Sequence, residues 1–328
     1  MTEKKRIVSG MRPTGTLHLG NFHGALENWI TMQDEYDCFF FVADWHALTS
    51  DYEDTGNIGA YTRQMVIDWL STGLSPEKNT LFVQSHIKEH AELFLLLTMI
   101  TPTPWLERNP TYKDQIDQLK NKDLSTFGFL GYPVLQAADI IIYKAQGVPV
   151  GIDQVPHIEI TREIARRFNY LYGNVFPEPE SILTKTAKIL GTDRRKMSKS
   201  YHNAIYLSDP PETIMETVSK MITDPQRARK TDPGNPDICN VFAFHSLYSD
   251  QASVSTIAEE CRSAKIGCVE CKKIMAESLI KALAPIRDKN QYFTAHPEIV
   301  DEIIATGDKK ARTVAESTLG QVREAIKL

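Results

Sequence analysis

Residues 37–43 read DCFFFVA, an unbroken apolar run too short for a helix and of the kind shown by a strand covered on both faces. Residues 80–83 (TLFV) read the same way. Residues 5–9 (KRIVS) form a short β run stopped by Gly10, and residues 147–150 (GVPV) sit between two helical patterns. Helical patterns fill the intervals at about 22–35, 59–71, 89–100, 132–145 and 153–168. In the last of these Ile160, Ile164 and Phe168 fall at i, i+4 and i+8, a stripe that faces a sheet. Strands alternating with helices predict an α/β fold: a doubly wound, Rossmann-like parallel sheet with right-handed crossovers.

After about residue 205 the strand signal stops. Residues 212–221, 253–262, 269–286 and 314–326 are helical in pattern, and TDPGNPD at 231–237 is a breaker-rich loop. The division predicted is a nucleotide-type domain over 1–190, a loop over 191–205 and a mostly helical domain over 206–328. A chain of 328 residues is long enough for one large and one smaller core.

Composition narrows the setting. With 42% hydrophobic and 24% charged residues the chain is ordinary for a soluble protein, and no stretch approaches the roughly 20 apolar residues of a membrane span. The start, MTEKKRIVSG, lacks a secretory apolar region, so a cytoplasmic protein with no membrane partner is expected. The net charge of −5 leaves RNA binding to local basic patches. Two exist: Lys185, Lys188, Arg194, Arg195, Lys196 and Lys199 in one, Arg227, Arg229 and Lys230 in the other. Either is equally readable as solvated surface.

Two segments carry phosphate chemistry. The first strand runs into SGMRPTGTLHLGN and then a helix, which presents backbone N–H groups and a positive dipole end to an anion. There is no GxGxxG, so a dinucleotide site is not the reading. His18 and Asn21, three apart, can instead meet an α-phosphate as its charge rises, and Gly20 lets a base or ribose approach the backbone. The plainer alternative is a turn shaped by Gly15 and Gly20 with His18 as a helix cap. The second segment is Lys196-Met197-Ser198-Lys199-Ser200, introduced by Gly191. Two ammonium groups three residues apart suit β- and γ-phosphate oxygens, Ser198 adds a hydroxyl, and Met197 can anchor the loop on apolar surface. Both segments follow the strands of a parallel sheet, whose carboxyl edge is where ligands bind.

HLGN and KMSKS resemble the two signatures of class I aminoacyl-tRNA synthetases, the second letter for letter. Within the tyrosine–tryptophan subclass, the segments SGMRPTGTLHLGN, VADWHALT (42–49), YPVLQAADI (132–140), VPVGIDQ (148–154) and HIEITREIARRF (157–168) resemble the bacterial tryptophan branch over nearly the whole chain. Arg12 stands where many members have glutamine. The resemblance implies activation of L-tryptophan by ATP with Mg²⁺, transfer to tRNA(Trp), and a homodimer with tRNA lying across both subunits. For ATP it implies contacts from Arg12, Pro13, Thr14, Gly20, Asn21, Lys113, Gly151, Ile152, Asp153, Ile189 and the Lys196–Lys199 segment, with His18, Asn21, Lys196, Ser198 and Lys199 as the catalytic set. For tryptophan it implies Asp139 as acceptor of the indole N–H, Tyr132 and Gln154 on the α-amino group, Val148 and Val150 beside the ring, and His46 in the pocket.

The residues themselves leave alternatives. Asp139 between Ala138 and Ile140 needs a partner, but a neighbouring backbone group or an arginine would do as well as a substrate. Asp153 could be an N-cap only, and His46 a satisfied core histidine. A tyrosine-activating enzyme shares the QAAD segment, and a synthetase-like RNA-binding module without catalysis is a reading from another class.

Cys38 reads as a buried, inert thiol. Cys239, Cys261, Cys268 and Cys271 follow C-x21-C-x6-C-x2-C. In a reducing compartment such a group fits a metal better than disulfides, and four thiolates suit Zn²⁺ or an iron–sulfur cluster equally. Four separate core cysteines are the remaining reading. A bacterial subset of the tryptophan branch carries four such cysteines with a [4Fe-4S] cluster in its helical domain. That resemblance implies a structural cluster here, far from the ATP site, that braces the anticodon-binding helices.

Overall fold

The computed structural model of the chain describes residues 4–110, 112, 123–184 and 189–328. Among them five strands form one sheet: β1 Arg6–Met11, β2 Asp37–Val42, β3 Asn79–Val83, β4 Gly147–Val150 and β5 Glu180–Leu183. The order is β3-β2-β1-β4-β5 and every neighbouring pair is parallel. This is the α/β architecture that the alternating pattern predicts. Only β5 escapes sequence reading: ESIL is short and partly exposed, without the apolar run of a covered strand.

Register sets the site. Met11, Val42 and Val83 lie side by side at the carboxyl ends of β1, β2 and β3. The chain reverses its winding direction between β1 and β4, the place where open α/β sheets bind ligands. The residues that leave the strands there are Arg12, Ala43, Gln84 and Gly151.

The sheet core joins Phe39, Phe41, Phe82 and Val148 to the inner faces of helices Glu89–Thr98, Phe127–Ile141 and Val155–Tyr172. Trp29 stacks on Phe40 at 4.3 Å between ring centroids. The last helix, Pro297–Ile326, buries Ala311, Ala315, Leu319 and Val322 in the same core and covers the edge strand β3. It comes so close at Gly307 that an added Cβ would lie 1.7 Å from the Leu81 carbonyl oxygen. Asp308 beside it accepts from the Val83 N–H at 3.1 Å and pairs with His86 Nδ1 at 2.6 Å.

The chain divides into two compact units: Met1–Gly15, Asn28–Lys185 and His296–Leu328 in one, Thr16–Glu27 and Thr186–Ala295 in the other. The region 206–328, read from sequence as one helical domain, is therefore shared, its last helix going with the sheet. The HLGN segment goes the other way. Leu19 N–H donates to Ile205 O at 3.0 Å and Leu207 N–H to Leu17 O at 3.0 Å, so this segment folds with the chain that follows KMSKS. The second unit is otherwise built from helices Pro211–Ser219, Asn240–Tyr248, Gln251–Arg262 and Cys268–Ala295 around Ile214, Val218, Val241, Phe244, Met275 and Leu279. Among the described residues no helix is long and apolar enough to cross a membrane.

Candidate functional site

In the sheet unit the candidate residues gather around one carboxylate. Asp139, on helix Phe127–Ile141, has no exposed surface. Its Oδ1 accepts from His90 Nδ1 at 2.6 Å and from Gln84 Nε2 at 2.9 Å; its Oδ2 accepts from His46 Nε2 at 2.8 Å and from the same Gln84 nitrogen at 2.8 Å. Burial alone would raise its pKa, but the bonds from His46 and His90 outweigh it, and the carboxyl sits below its usual range. Gln84 Oε1 takes the backbone N–H of Trp45 at 3.1 Å, and His90 Nε2 meets the Tyr143 hydroxyl at 2.6 Å. Asp139 thus has protein partners, two histidines and a glutamine, and not the backbone group or arginine of the plainer reading. Gln84, His90 and Tyr143 were not foreseen. Gln84 and His90 lie far from Asp139 in sequence, and strand β3 and the following helix bring them to it; Tyr143, four residues on, is reached only through His90.

Tyr132 lies two turns before Asp139 on the same helix. Its hydroxyl is 3.2 Å from His157 Nε2, and His157 Nδ1 is 3.2 Å from Asn109 Nδ2. The Asn109 amide donates, so His157 carries its proton on Nε2 and donates to Tyr132. Burial and then the neighbouring His46 push the His157 pKa down to about 4, so the ring is neutral at physiological pH. Val148 and Val150 are buried on β4, and Ala137 has no exposed surface. Gly151 follows β4 into the short turn Ile152–Gln154. A Cβ at 151 would meet Asp153 Oδ1 at 2.7 Å, and Gln154 Nε2 donates to that carboxylate at 3.1 Å. Asp153 makes no side-chain cap there. Arg12 Nη1 donates to Ser50 Oγ at 3.3 Å. Pro13 and Thr14 continue the same segment, and Lys113 lies outside the described residues.

The second unit holds the two signatures together. His18 is the N-cap of the short helix Leu19–Asn21: its Nδ1 accepts from the Asn21 N–H at 3.3 Å, and Asn21 Oδ1 returns the bond to the His18 N–H at 3.1 Å. This reciprocal cap assigns the His18 proton to Nε2. Burial first, and then the nearby Lys199 ammonium, push the His18 pKa down to about 4. Gly20 N–H points at Met197 Sδ, 3.4 Å away, and a Cβ at 20 would strike the His18 ring at 2.9 Å. Met197 is buried, the apolar anchor expected of it, while Lys196 is exposed.

Asn203 shapes the lysine loop. Its Oδ1 accepts from Ser198 N–H at 2.8 Å, and its Nδ2 donates to Asp193 at 2.7 Å and to Lys196 O at 3.1 Å. Gly191 is required where the loop begins, because a Cβ would lie 2.2 Å from the Asn203 amide nitrogen. Ser198 and Ser200 hydroxyls are 2.9 Å apart, and Ile189 is buried just before the loop. This arrangement places an imidazole donor, an amide and ammonium groups beside one another, a set suited to an anion that gains charge in a transition state.

The four C-terminal thiols are neighbours too. Cys239, Cys261 and Cys268 all act electrostatically on Cys271, whose pKa is pushed up to about 12 by burial first and by these thiols next. Arg227 Nη1 lies 4.0 Å from Cys261 Sγ and 3.9 Å from Cys268 Sγ, held there by bonds from Nη2 to Lys230 O at 2.7 Å and Ile266 O at 2.9 Å. A Cβ at Gly234 would come within 2.6 Å of Cys261 Sγ, so glycine alone leaves the sulfur its space. Among the described residues no three His, Cys, Asp or Glu side chains are set as the ligands of a single metal ion.

The profile of the family described as tRNA synthetases class I (W and Y) matches residues 1–284. The tryptophan–tRNA ligase of Thermotoga maritima is 54% identical over 325 residues, 98% of this chain and 99% of that protein. That of Aquifex aeolicus is 46% identical, with 98% and 100% covered. The structure of the tryptophanyl-tRNA synthetase from Campylobacter jejuni complexed with ADP and tryptophan superimposes with a TM-score of 0.91 at 32% identity, over 98% of this chain and 100% of that one. The chain belongs to the class I tRNA synthetases of the tryptophan and tyrosine family. Its reaction is that of a bacterial tryptophan–tRNA ligase: tryptophan is activated with ATP, pyrophosphate is released, and the amino acid passes to tRNA.

Proposed function

We propose that the reaction is divided between the two residue groups described above. The tryptophan carboxylate oxygen attacks the α-phosphorus of MgATP, the bond to the bridging oxygen breaks, and pyrophosphate leaves. A ribose hydroxyl of the tRNA then attacks the carbonyl carbon of the adenylate, the bond from that carbon to the phosphate oxygen breaks, and AMP leaves. The carboxylate is already a nucleophile, so the protein supplies positioning and charge. His18, through Nε2–H, and Asn21 meet the α-phosphate. Lys196, Lys199 and Ser198 hold the outer phosphates, and Gly20 admits the nucleoside. The observation that carries this reading is the contact of Met197 with the HLGN turn, which brings the Lys199 charge within electrostatic reach of His18.

Asp139 reads the indole N–H. Although its oxygens already accept four contacts, two come from one Gln84 nitrogen, which can yield one oxygen and keep the other. Phenylalanine has no N–H to take the place of that Gln84 contact, so it gains nothing from the oxygen that tryptophan uses. Tyr132 and Gln154 hold the α-amino group, Val148 and Val150 flank the ring, and His46 is fixed by Asp139 at the pocket. Arg12, Pro13, Thr14 and Gly151–Asp153 take the nucleoside side, together with Ile189 and Lys113. Pyrophosphate exchange with ATP and either tryptophan or tyrosine tests the reading. Exchange with tyrosine alone, or with neither, overturns it.

The finer assignments follow the family resemblance. The enzyme is cytoplasmic and dimeric; Leu95, Met99 and Phe127, 54%, 72% and 68% exposed, supply apolar surface for a second copy. Sedimentation as a monomer at micromolar concentration would refute the dimer. The helical region 206–295 takes the anticodon side of the tRNA, with Arg227, Arg229 and Lys230 among its basic groups. Cys239, Cys261, Cys268 and Cys271 hold a [4Fe-4S] cluster. A cubane with iron at four of its eight corners would hold one thiolate on each iron, wider apart than around a single ion, and the Arg227 guanidinium would answer its negative charge. Protein purified without air should be brown, with about four iron and four sulfide per chain; stoichiometric zinc without iron would refute the cluster.

A further inference from the structure

The nine-residue helix Asn240–Tyr248 is bonded to both signature segments. At its first residue, Asn240 Nδ2 donates to Gly191 O at 2.8 Å in a buried bond. Gly191 is where the lysine loop begins, and its N–H closes the loop on Arg195 O at 2.7 Å. At its last residue, the Tyr248 hydroxyl lies 2.6 Å from His23 Nε2. His23 is buried in the wide π-type turn Phe22–Leu26 that follows HLGN directly, and its Nδ1 pairs with Glu27 at 3.1 Å. Such turns are rare and survive where something outside the helix stabilises them. With the carboxylate fixing the proton on Nδ1, His23 accepts from Tyr248. The helix is itself pinned: Cys239 is its N-cap residue, and His245 Nε2 donates to Cys271 O at 3.1 Å while Nδ1 meets Ser249 Oγ at 2.8 Å.

We propose that Asn240 and Tyr248 are positioning residues for the activation step, and that helix Asn240–Tyr248 sets the spacing between the HLGN turn and the KMSKS loop. Neither residue touches substrate. Asn240 fixes the entry of the loop that carries Lys196 and Lys199. Tyr248, through His23, fixes the turn that carries His18 and Asn21. The helix rests on Cys239 and Cys271, so disorder in the thiol group is felt where phosphate is held and not only in tRNA binding. The inference rests on the reading that the two signatures hold ATP.

The test uses the full-length protein with Asn240→Ala, the isosteric Asn240→Asp, which sets an acceptor against the Gly191 carbonyl, and Tyr248→Phe, which keeps the ring and removes only the hydroxyl. Hydrogen exchange is followed in peptides covering 189–203 and 16–27, and pyrophosphate exchange gives KM for ATP and for tryptophan separately. Loss of a buried hydrogen bond is worth about tenfold. Both Asn240 variants should therefore lose protection in 189–203 and raise KM for ATP about tenfold, with KM for tryptophan unchanged. Tyr248→Phe should lose protection in 16–27 and lower kcat about threefold to tenfold. Wild-type protection and wild-type kinetics in Asn240→Asp overturn the proposal. So does loss of protection throughout the chain with both KM values raised, which marks a general structural role. Loosening of 189–203 with KM for ATP unchanged upholds the positioning and shows instead that the lysine loop does not hold ATP.

Discussion

Asp139 and Lys199 are assigned to the same reaction, yet their surroundings are opposite. The carboxylate is enclosed, with His46, His90 and Gln84 fixed on it and Tyr143 fixed behind them. The lysine stands on a loop whose order comes from backbone geometry and one asparagine, and the charged neighbours Lys196 and Arg195 reach solvent. Recognition of one donor on an otherwise apolar ring needs an acceptor whose position is decided before the ligand arrives. Holding phosphates needs charge that is well placed in the transition state and leaves with the product.

The strongest test of that contrast is Asp139→Ala. It strands His46, His90 and Gln84 as buried donors, and breaking such a group costs about 3–5 kcal/mol. Thermal denaturation should show the loss, and calorimetry should show tryptophan weakened far more than ATP with the gap to phenylalanine narrowed. Unchanged discrimination would make Asp139 a structural residue. Lys199→Ala should do the reverse: adenylate formation about 10²–10³-fold slower in rapid quench, with tryptophan affinity and melting temperature nearly those of the wild type. A normal rate with weakened tryptophan would erase the distinction.

Smaller effects separate scaffold from site. Gly307→Ala forces a methyl against the Leu81 carbonyl, at a cost of about 1–3 kcal/mol in the sheet unit. Its exchange kinetics at saturating substrate should stay close to wild type, because the clash is with Leu81 inside β3, and the residues bonded to Asp139 lie beyond that strand's end. A lowered kcat with unchanged stability would contradict this. The last effect is in pH. His18 and His157 each have folded pKa values near 4, against an ordinary 6.5. As pH falls from 6.5 to 4 the unfolded chain takes up protons that these two rings refuse, so stability is lost through that window, by about 1.4 kcal/mol per pH unit for each ring. His86, raised by Asp308, has the opposite sign: its contribution is complete below 6.5 and fades as pH rises through its folded value. His157→Gln should therefore be less stable than wild type at pH 7, with the difference closing toward pH 4. A constant difference would mean that His157 titrates normally.

The four-cysteine group changes standing once the chain is folded. The pattern of elements puts it in a domain apart from the chemistry, and the resemblance implies that it acts at a distance. In the structure the HLGN and KMSKS segments fold in the same compact unit as the thiols. The helix that links them, Asn240–Tyr248, carries no signal in NVFAFHSLY by which to find it: apolar residues fall on several sides, and two of its polar members, Asn240 and His245, are buried along with Val241 and Phe244.

The sequence by itself determined the elements with strong local character. The apolar runs of β2 and β3 can only be covered strands, the stripe of helix Val155–Tyr172 can only face a sheet, and HLGN and KMSKS are read from adjacent residues. It also determined that Asp139, set among alanines and isoleucines, must have partners. Which partners it has was decided by tertiary structure alone. Gln84 and His90 are chemically unremarkable in their own segments, and their roles arise because parallel register aligns the ends of β1, β2 and β3 while helix packing brings His46 and His90 against one carboxylate. The same holds for Gly307, Asn240 and Tyr248. Hydrophobic periodicity specifies which face of an element is buried, but a hydrogen bond between residues far apart in sequence depends on how two buried faces meet, and no local pattern records that.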